Sequence, residues 1–557
     1  MSSLGPITVD LIPALLVVIP ILSATVPLLL GLRFDRTGWS VTTVVTGALF
    51  VAASYLATVV YTEGAVFHHL GGYDRQFGIE LVADELSTLI VLLVMATSFA
   101  VLVYTRVGGP RGNTFYAAYL LLVGGLAGLS LTGDVFNMFV FLEIVGLATY
   151  GLIAAGDGPE SAVAALKYLI LGTLGASIYL IGVGFVFMST GTLNMIELQT
   201  AIPEAGYDHT LVRAAFAFIF VGFAIKVAQW PLHTWQPDAY QHTPDGVTPL
   251  IAALVSTVSA YALGRVMYTV FTPEFFAATP EASTVVVTVG VVSVITGSTL
   301  AVIQRDVKRM LAYSSVSHFG LIVAAFGLVT ETALIGAVVH LFGHGLMKAG
   351  LFLAAGIVAL GYGARLVDDY AGLANRRPVT AAAMAVLLIS LIGIPPSIGF
   401  IGKWYIALGA VQAEVWTVAA VIFFSTMLTL AYAARLLEKM YFTPVTPVGA
   451  PHGSVATDGG AEDGGDDRIT DEVDGGDDPT TDVADGGSTA TTTAADGDGD
   501  VTIHTDGLAA EFAARAVTVG MVVLIAFVAI LAVALGFTGE VFVELLDPYV
   551  EEVFADV

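Results

Sequence analysis

The chain reads as a succession of apolar runs separated by short polar breaks. Such runs lie near residues 11–32, 41–61, 84–105, 114–131, 135–155, 163–189, 211–230, 247–271, 283–303, 309–329, 333–361, 379–410, 414–442 and 512–537. A helix needs about 20 apolar residues to cross a bilayer, and most runs reach that length. Barrel strands alternate over about 10 residues, and these runs do not alternate. The pattern predicts an all-α polytopic membrane protein with about 14 transmembrane helices. The first run lacks a basic leader and a small-residue cleavage site, so it reads as a retained helix. Residues 64–82 carry Gly-Gly, Asp74 and alternating apolar positions, which predicts a small extramembrane hairpin.

Two runs are broken by proline. The seventh passes through KVAQWPLHTWQPDAYQHTP, with Pro231 soon after Lys226. The twelfth contains IGIPPSIGFIGKW, with Pro395 and Pro396 just before Lys403. Proline removes an intrahelical bond and kinks or interrupts a helix. Irregular backbone at membrane depth is tolerated where it lines a wet cavity or is buried in protein. The breaks sit five runs apart in corresponding places, as expected of an internal repeat with one interrupted helix per copy.

Composition sharpens the picture. The 557 residues are 56% hydrophobic and only 12% charged, against roughly 25% charge in soluble domains. The net charge of −26 is uneven: residues 452–507 hold sixteen Asp and Glu against Arg468 alone among Lys and Arg. Residues 443–510 are therefore expected to form a disordered, solvated linker. Its acidic bias suits a salt-rich cytoplasm, as in a halophile. With no cysteine, disulfides and thiolate metal clusters are excluded. Arg33, Arg36, Arg106, Arg111, Arg305, Lys308, Arg309, Arg365, Arg376, Arg377, Arg435 and Lys439 fall in alternate loops. The other loops hold mainly acids. The positive-inside rule then predicts a multi-pass plasma-membrane protein with both termini outside and the acidic linker cytoplasmic.

An ionisable side chain at mid-bilayer costs at least about 2.5–3.5 kcal/mol, so it usually has a function. Glu143 lies half-way along the fifth run and Lys226 in the middle of the seventh. A desolvated lysine can both take and release a proton. His340, His344 and Lys348 follow one another at i, i+4 and i+8, on one helix face. They cover roughly 12 Å of depth at about 1.5 Å rise per residue. Histidine titrates near neutrality and passes protons either way. Zinc is a minor reading of the two histidines, because no carboxylate or cysteine shares that face. Lys403 follows the second break. His318 reads equally as a relay group or a satisfied core histidine, and Lys167 as a residue snorkelling to the interface. There is no Walker-type loop, nucleophile elbow, haem or iron–sulfur signature, so no cofactor or resident metal is expected. The implied chemistry is proton handling.

The stretches FNMFVFLEIVGLATY, GFAIKVAQWPLHTWQPDAYQHTPDGVTPLIAAL, IQRDVKRMLAYSSVSHFGLI, HLFGHGLMKAGLFLAAGIV and PPSIGFIGKW cover most of residues 110–440. They resemble the proton-conducting, antiporter-like membrane subunits. That family joins the A-type and D-type subunits of Mrp sodium/proton antiporters with the large membrane subunits of complex I and related hydrogenases. FVFLE and the lysine at 403 look most like the D-type Mrp protein. The resemblance implies two inverted five-helix repeats. The organisation is then three N-terminal helices (1–110), a first repeat (111–271), a second repeat (283–442), the linker (443–510) and a last helix with its tail (511–557). It further implies that Glu143 and Lys226 form a charge pair and that Lys348 and Lys403 continue a lateral relay. Partners would be other membrane subunits, protons, a monovalent cation and the lipid bilayer; no nucleic acid is expected. One departure stands out. The family usually has a lysine four residues before a tyrosine in the eighth run, and here Thr257 precedes Tyr261. Ser256, Thr257 and Ser259 are candidates to hold a water chain there. Three functions follow: an antiporter component exchanging sodium or another monovalent cation for protons, a cofactor-free component of a redox-driven pump, or a scaffold whose relay has decayed at Thr257.

Overall fold

An apolar helix is the one open-ended structure that satisfies its own backbone in hydrocarbon, and the chain is built almost wholly from such helices. The computed structural model describes residues 9–34, 36–110, 112–156, 158–444 and 517–555. Arg111 and the acidic linker expected beyond Pro444 lie outside the described residues. Twelve helices are long and apolar enough to cross a membrane among the described residues. They are α1 (Val9–Gly31), α2 (Gly38–Glu63), α3 (Glu85–Gly108), α4 (Asn113–Leu131), α5 (Val135–Ala154), α6 (Pro159–Thr190), α10 (Thr248–Ala278), α11 (Pro280–Ile303), α12 (Val307–Gly327), α13 (Glu331–Tyr362), α16 (Trp416–Phe442) and α17 (Val519–Phe537). The two remaining expected spans are the proline-broken ones. The first is split into α8 (Thr210–Lys226) and α9 (Trp235–His242), the second into α14 (Pro378–Ile392) and α15 (Ile398–Gln412). Two further helices, α7 (Met195–Ala205) and α18 (Gly539–Phe554), are shorter and carry acids.

Local signals set the helix starts. Asp84, Asp134, Asp306, Thr330 and Ser397 each accept a hydrogen bond from the first turn of the helix that follows, satisfying an otherwise orphaned amide. The expected hairpin is present as β1 (Val66–His69) paired antiparallel with β2 (Glu80–Ala83), Val66 opposite Ala83.

Apolar side chains such as Leu29, Val44, Ile170, Met188, Phe423 and Phe527 are exposed on the outside, as a lipid-facing surface requires. Inside, α10, α12 and α13 are almost completely covered. Close packing there depends on small residues, since lipid offers no hydrophobic drive between helices. On the α13–α15 contact a Cβ added at Gly402 would come within 2.7 Å of His340 Cα, and one at Gly336 within 2.5 Å of the Ile406 nitrogen.

One cluster of ion pairs lies at the end of the bundle where α3 finishes. In the loop after α9, Asp245 accepts from Lys308 Nζ at 3.0 Å and from both terminal nitrogens of Arg365 at 3.2 and 3.1 Å. Lys308 also donates to the Thr243 carbonyl at 2.6 Å. Burial alone would raise the Asp245 carboxyl, but the Lys308 and Arg365 cations outweigh it and hold the group below the usual range.

Both the glycine contact and the Asp245 cluster can be probed by thermal unfolding. Gly402→Ala should push α13 from α15 and lower stability by about 1–3 kcal/mol, read as a reduced melting temperature in detergent. Because the Asp245 carboxyl is depressed on folding, its contribution is complete above the unfolded pKa of about 3.9 and is lost as pH falls through the lower folded value. Asp245→Asn should therefore cost roughly 1.5–3 kcal/mol at neutral pH. The gap in melting temperature to the parent protein should close as the pH drops below about 4.

Candidate functional site

The first break creates the setting for Lys226. Pro231 has no amide hydrogen, so α8 cannot continue and its last carbonyls must find other donors. The Gln229 backbone amide donates to the Ala224 carbonyl at 2.8 Å, and the Trp235 indole donates to the Ile225 carbonyl at 2.9 Å. Lys226 is thus the last residue of a half-helix, at the end whose carbonyl dipoles favour a cation. It is 3% exposed. Its ammonium lies 3.5 Å from Tyr150 Oη. Tyr150 packs edge-on to Tyr168, which stacks on Trp235 at 3.8 Å. Glu143 is half-buried on α5. Its neighbour one turn along, Gly146, lies against the lysine, and a Cβ there would sit 3.3 Å from Nζ. Among the described residues, the ion pairs do not include one between Glu143 and Lys226. The two groups approach each other across Gly146 without pairing directly.

The second half holds a denser cluster. His340, His344 and Lys348 are fully buried along one face of α13. His318 of α12 joins them: its Nδ1 lies 2.9 Å from His340 Nε2, and its ring centre 5.6 Å from that of His344. Both ring nitrogens of His344 and Nδ1 of His340 have no protein partner among the described residues. Lys348 donates to the Leu311 carbonyl at 2.7 Å and to the Ser314 hydroxyl. Lys403 donates to the Ile392 carbonyl at 2.9 Å and reaches Thr426 Oγ1 at 3.4 Å. Ile392 is the last residue of α14, where Gly393 turns the backbone at φ 88°. The freed carbonyl of the second break therefore takes the lysine, and Lys403 is buried inside the bundle with no snorkel to an interface. Among the described residues, no group of three or more His, Asp and Glu is arranged to hold a metal.

Lys167, read as a snorkelling residue, stays partly exposed and has an ion-pair partner. It is fixed by Asp238 of α9 at 2.6 Å, and Arg309 holds the other carboxylate oxygen at 2.9 Å. A carboxylate brought in from 71 residues away gives it a partner that local sequence does not show.

Between the two halves, Thr257 on α10 is fully buried and its hydroxyl has no protein partner among the described residues. Ser259 turns back onto the Val255 carbonyl of its own helix, whereas Ser256 enters a wider network. Gln236 Nε2 donates to Tyr240 Oη at 3.0 Å and to Ser256 Oγ at 3.1 Å, and the two hydroxyls are 3.2 Å apart. Sequence reading missed Gln236 and Tyr240, although their i, i+4 spacing was a usable signal. It also passed over Arg265, a charge inside the eighth run that pairs with Asp84. Two π-type stretches, Ile251–Val255 and Val266–Phe271, flank this part of α10, a distortion frequent at functional sites. A cavity of about 560 Å³ opens at the Asp245 end, lined by His242, Asp245, Asp306 and Arg365 among others.

Comparison with known proteins identifies the family. The family model described as NADH:quinone oxidoreductase/Mrp antiporter, TM, matches residues 132–429. The N-type membrane component of the NADH-quinone oxidoreductase of Desulforudis audaxviator is 41% identical over 450 residues, covering 79% of this chain and 88% of that protein. The D-type component of the Na(+)/H(+) antiporter of Alkalihalophilus pseudofirmus is 33% identical over 391 residues, covering 69% and 78%. A chain of the Mrp complex from a Dietzia species superimposes with a TM-score of 0.80 at 25% identity, covering 98% of this chain and 97% of that one. Both branches expected from the motifs are thus represented, and the chain belongs to the family of membrane subunits shared by NADH:quinone oxidoreductases and Mrp antiporters.

Proposed function

We propose that this chain is the proton-translocating component of a multi-subunit membrane assembly that exchanges protons for a monovalent cation, sodium in the first instance. The observation that carries the reading is the set of fully covered titratable groups inside the bundle. Lys226, Lys348 and Lys403 are held by neutral hydroxyls and backbone carbonyls and not by carboxylates, so no ion pair locks their protons in place. His318, His340 and His344 supply donors and acceptors between the second-half lysines. Glu143 approaches Lys226 across Gly146 and would act on it through space without touching it. The two inverted repeats are part of this proposal. Their support is that each break ends a half-helix beside a buried lysine.

A second reading is favoured by the 41% identity to a quinone oxidoreductase component. The same relay would then be driven by electron transfer in partner subunits, and the chain itself would hold no cofactor. The near-complete coverage of the Mrp chain supports the antiporter reading. A sodium-dependent pH gradient in vesicles carrying the assembled complex separates the two. The antiporter reading expects acidification or alkalinisation on a sodium jump, and the pump reading expects none without electron donor.

Glu143→Ala and Lys226→Ala should each abolish proton-coupled transport while the protein still inserts and assembles. Removing one relay group by truncation costs about 10²–10⁴-fold in proton-transfer steps. Wild-type flux in either variant removes that residue from the pathway.

A further inference from the structure

The two sets of buried titratable groups leave a span between them that the described lysines and histidines do not fill. The structure places a neutral network in that span. Gln236, Tyr240 and Ser256 are fully buried and bonded to one another in a closed triangle. On one side, Gln236 follows Trp235, whose indole is bonded to the carbonyl of Ile225, the residue before Lys226. On the other side, Tyr240 packs edge-on against Phe352, one turn beyond Lys348 on the same face of α13. Ser256 precedes Thr257, and Thr257 lies beside Gly345, the neighbour of His344: a Cβ at Gly345 would be 3.7 Å from Thr257 Cγ2. Gln229 Oε1, Gln236 Oε1 and Thr257 Oγ1 are buried acceptors without protein partners among the described residues. Buried polar atoms of that kind are satisfied by water in folded proteins.

We propose that Tyr240 and Ser256, held in register by Gln236, carry protons across the middle of the bundle between the Lys226 side and the Lys348 side, with water bridging to each. This rests on the relay reading above and names the groups that join its halves. The step balances. A proton delivered to one hydroxyl oxygen releases that hydroxyl's own proton to the other, which in turn gives up its own proton to water on the far side, so one proton crosses and no charge stays on the triad. The 3.2 Å separation of the two oxygens is at the long end of hydrogen-bond reach, and the amide of Gln236 keeps both oxygens in place. Gln236 is a positioning residue, because its amide neither gains nor loses a proton.

The test is proton flux in vesicles carrying the assembled complex. Tyr240→Phe keeps the ring on Phe352 and removes the hydroxyl; Ser256→Ala removes the other. Each should lower flux about tenfold or more, the effect of roughly 1.4 kcal/mol on the barrier. Ser256→Thr should recover more flux than Ser256→Ala. Gln236→Met should lower flux and enlarge the slowing in deuterium oxide, which a packing defect alone would not do. Thr257→Lys placed in the Tyr240→Phe background should restore flux, since an ammonium at that point can ferry the proton without the hydroxyl. Wild-type flux in the Tyr240→Phe, Ser256→Ala double variant, with Lys226→Ala inactive, overturns the inference and leaves the relay reading standing. Wild-type flux in Lys226→Ala overturns the relay reading and this inference with it.

Discussion

A protonatable group surrounded by hydrocarbon must be held by partners that the protein itself supplies. In this chain the supply comes from interrupted helices. A continuous helix commits its interior carbonyls to its own amides, so a lysine there shares a carbonyl already bonded, as Lys348 shares that of Leu311 in α12, whereas a break offers one that no amide occupies. Stopping α8 and α14 with proline and left-handed glycine frees carbonyls at mid-bundle. Lys403 is bound to one of them. At the other break the Trp235 indole takes the freed carbonyl and leaves Lys226 to the Tyr150 hydroxyl. The breaks, the lysines and the aromatic wall are therefore one feature seen at three levels.

Charge is handled differently at the ends and in the middle. At the bundle ends, Asp245 with Lys308 and Arg365, Asp238 with Lys167 and Arg309, and Asp84 with Arg265 form close ion pairs. These staple neighbouring helices, and Asp245 also lines the cavity that opens there. In the interior, Lys226, Lys348 and Lys403 meet hydroxyls and carbonyls. A cation opposite a carboxylate keeps its proton by Coulomb attraction. One opposite a neutral acceptor has a hydrogen-bonded path by which the proton can also leave. The distribution of partners thus separates charges held by carboxylates from those held by neutral groups.

Proton transfer needs heavy atoms within about 3 Å of each other, which sets a tight demand on helix spacing. α13 and α15 approach closely at Gly336 and Gly402, where any side chain would collide with backbone. That approach places His340 beside the turn that carries Lys403, and on the α12 side His318 lies 2.9 Å from His340. Helix packing thus fixes which of these buried groups are neighbours.

Much of this was readable from the chain alone. Apolar run length marked the twelve candidate spans of the described residues directly, and proline chemistry marked the two runs that are split into shorter helices. Periodicity of 3.6 put His340, His344 and Lys348 on one face. These are local properties, decided by helix geometry and by the free energy of transferring side chains to lipid, so sequence suffices for them. Partnership is not local. Lys167 finds Asp238, Lys348 finds the Leu311 carbonyl, and Gln236 and Tyr240 find Ser256, across separations of 71, 37, 20 and 16 residues. Glu143 and Lys226 were expected to pair and instead approach each other without a direct ion pair. Only the packing of the whole bundle decides which polar atoms come within hydrogen-bond reach, because that choice follows from helix crossings that no single segment encodes.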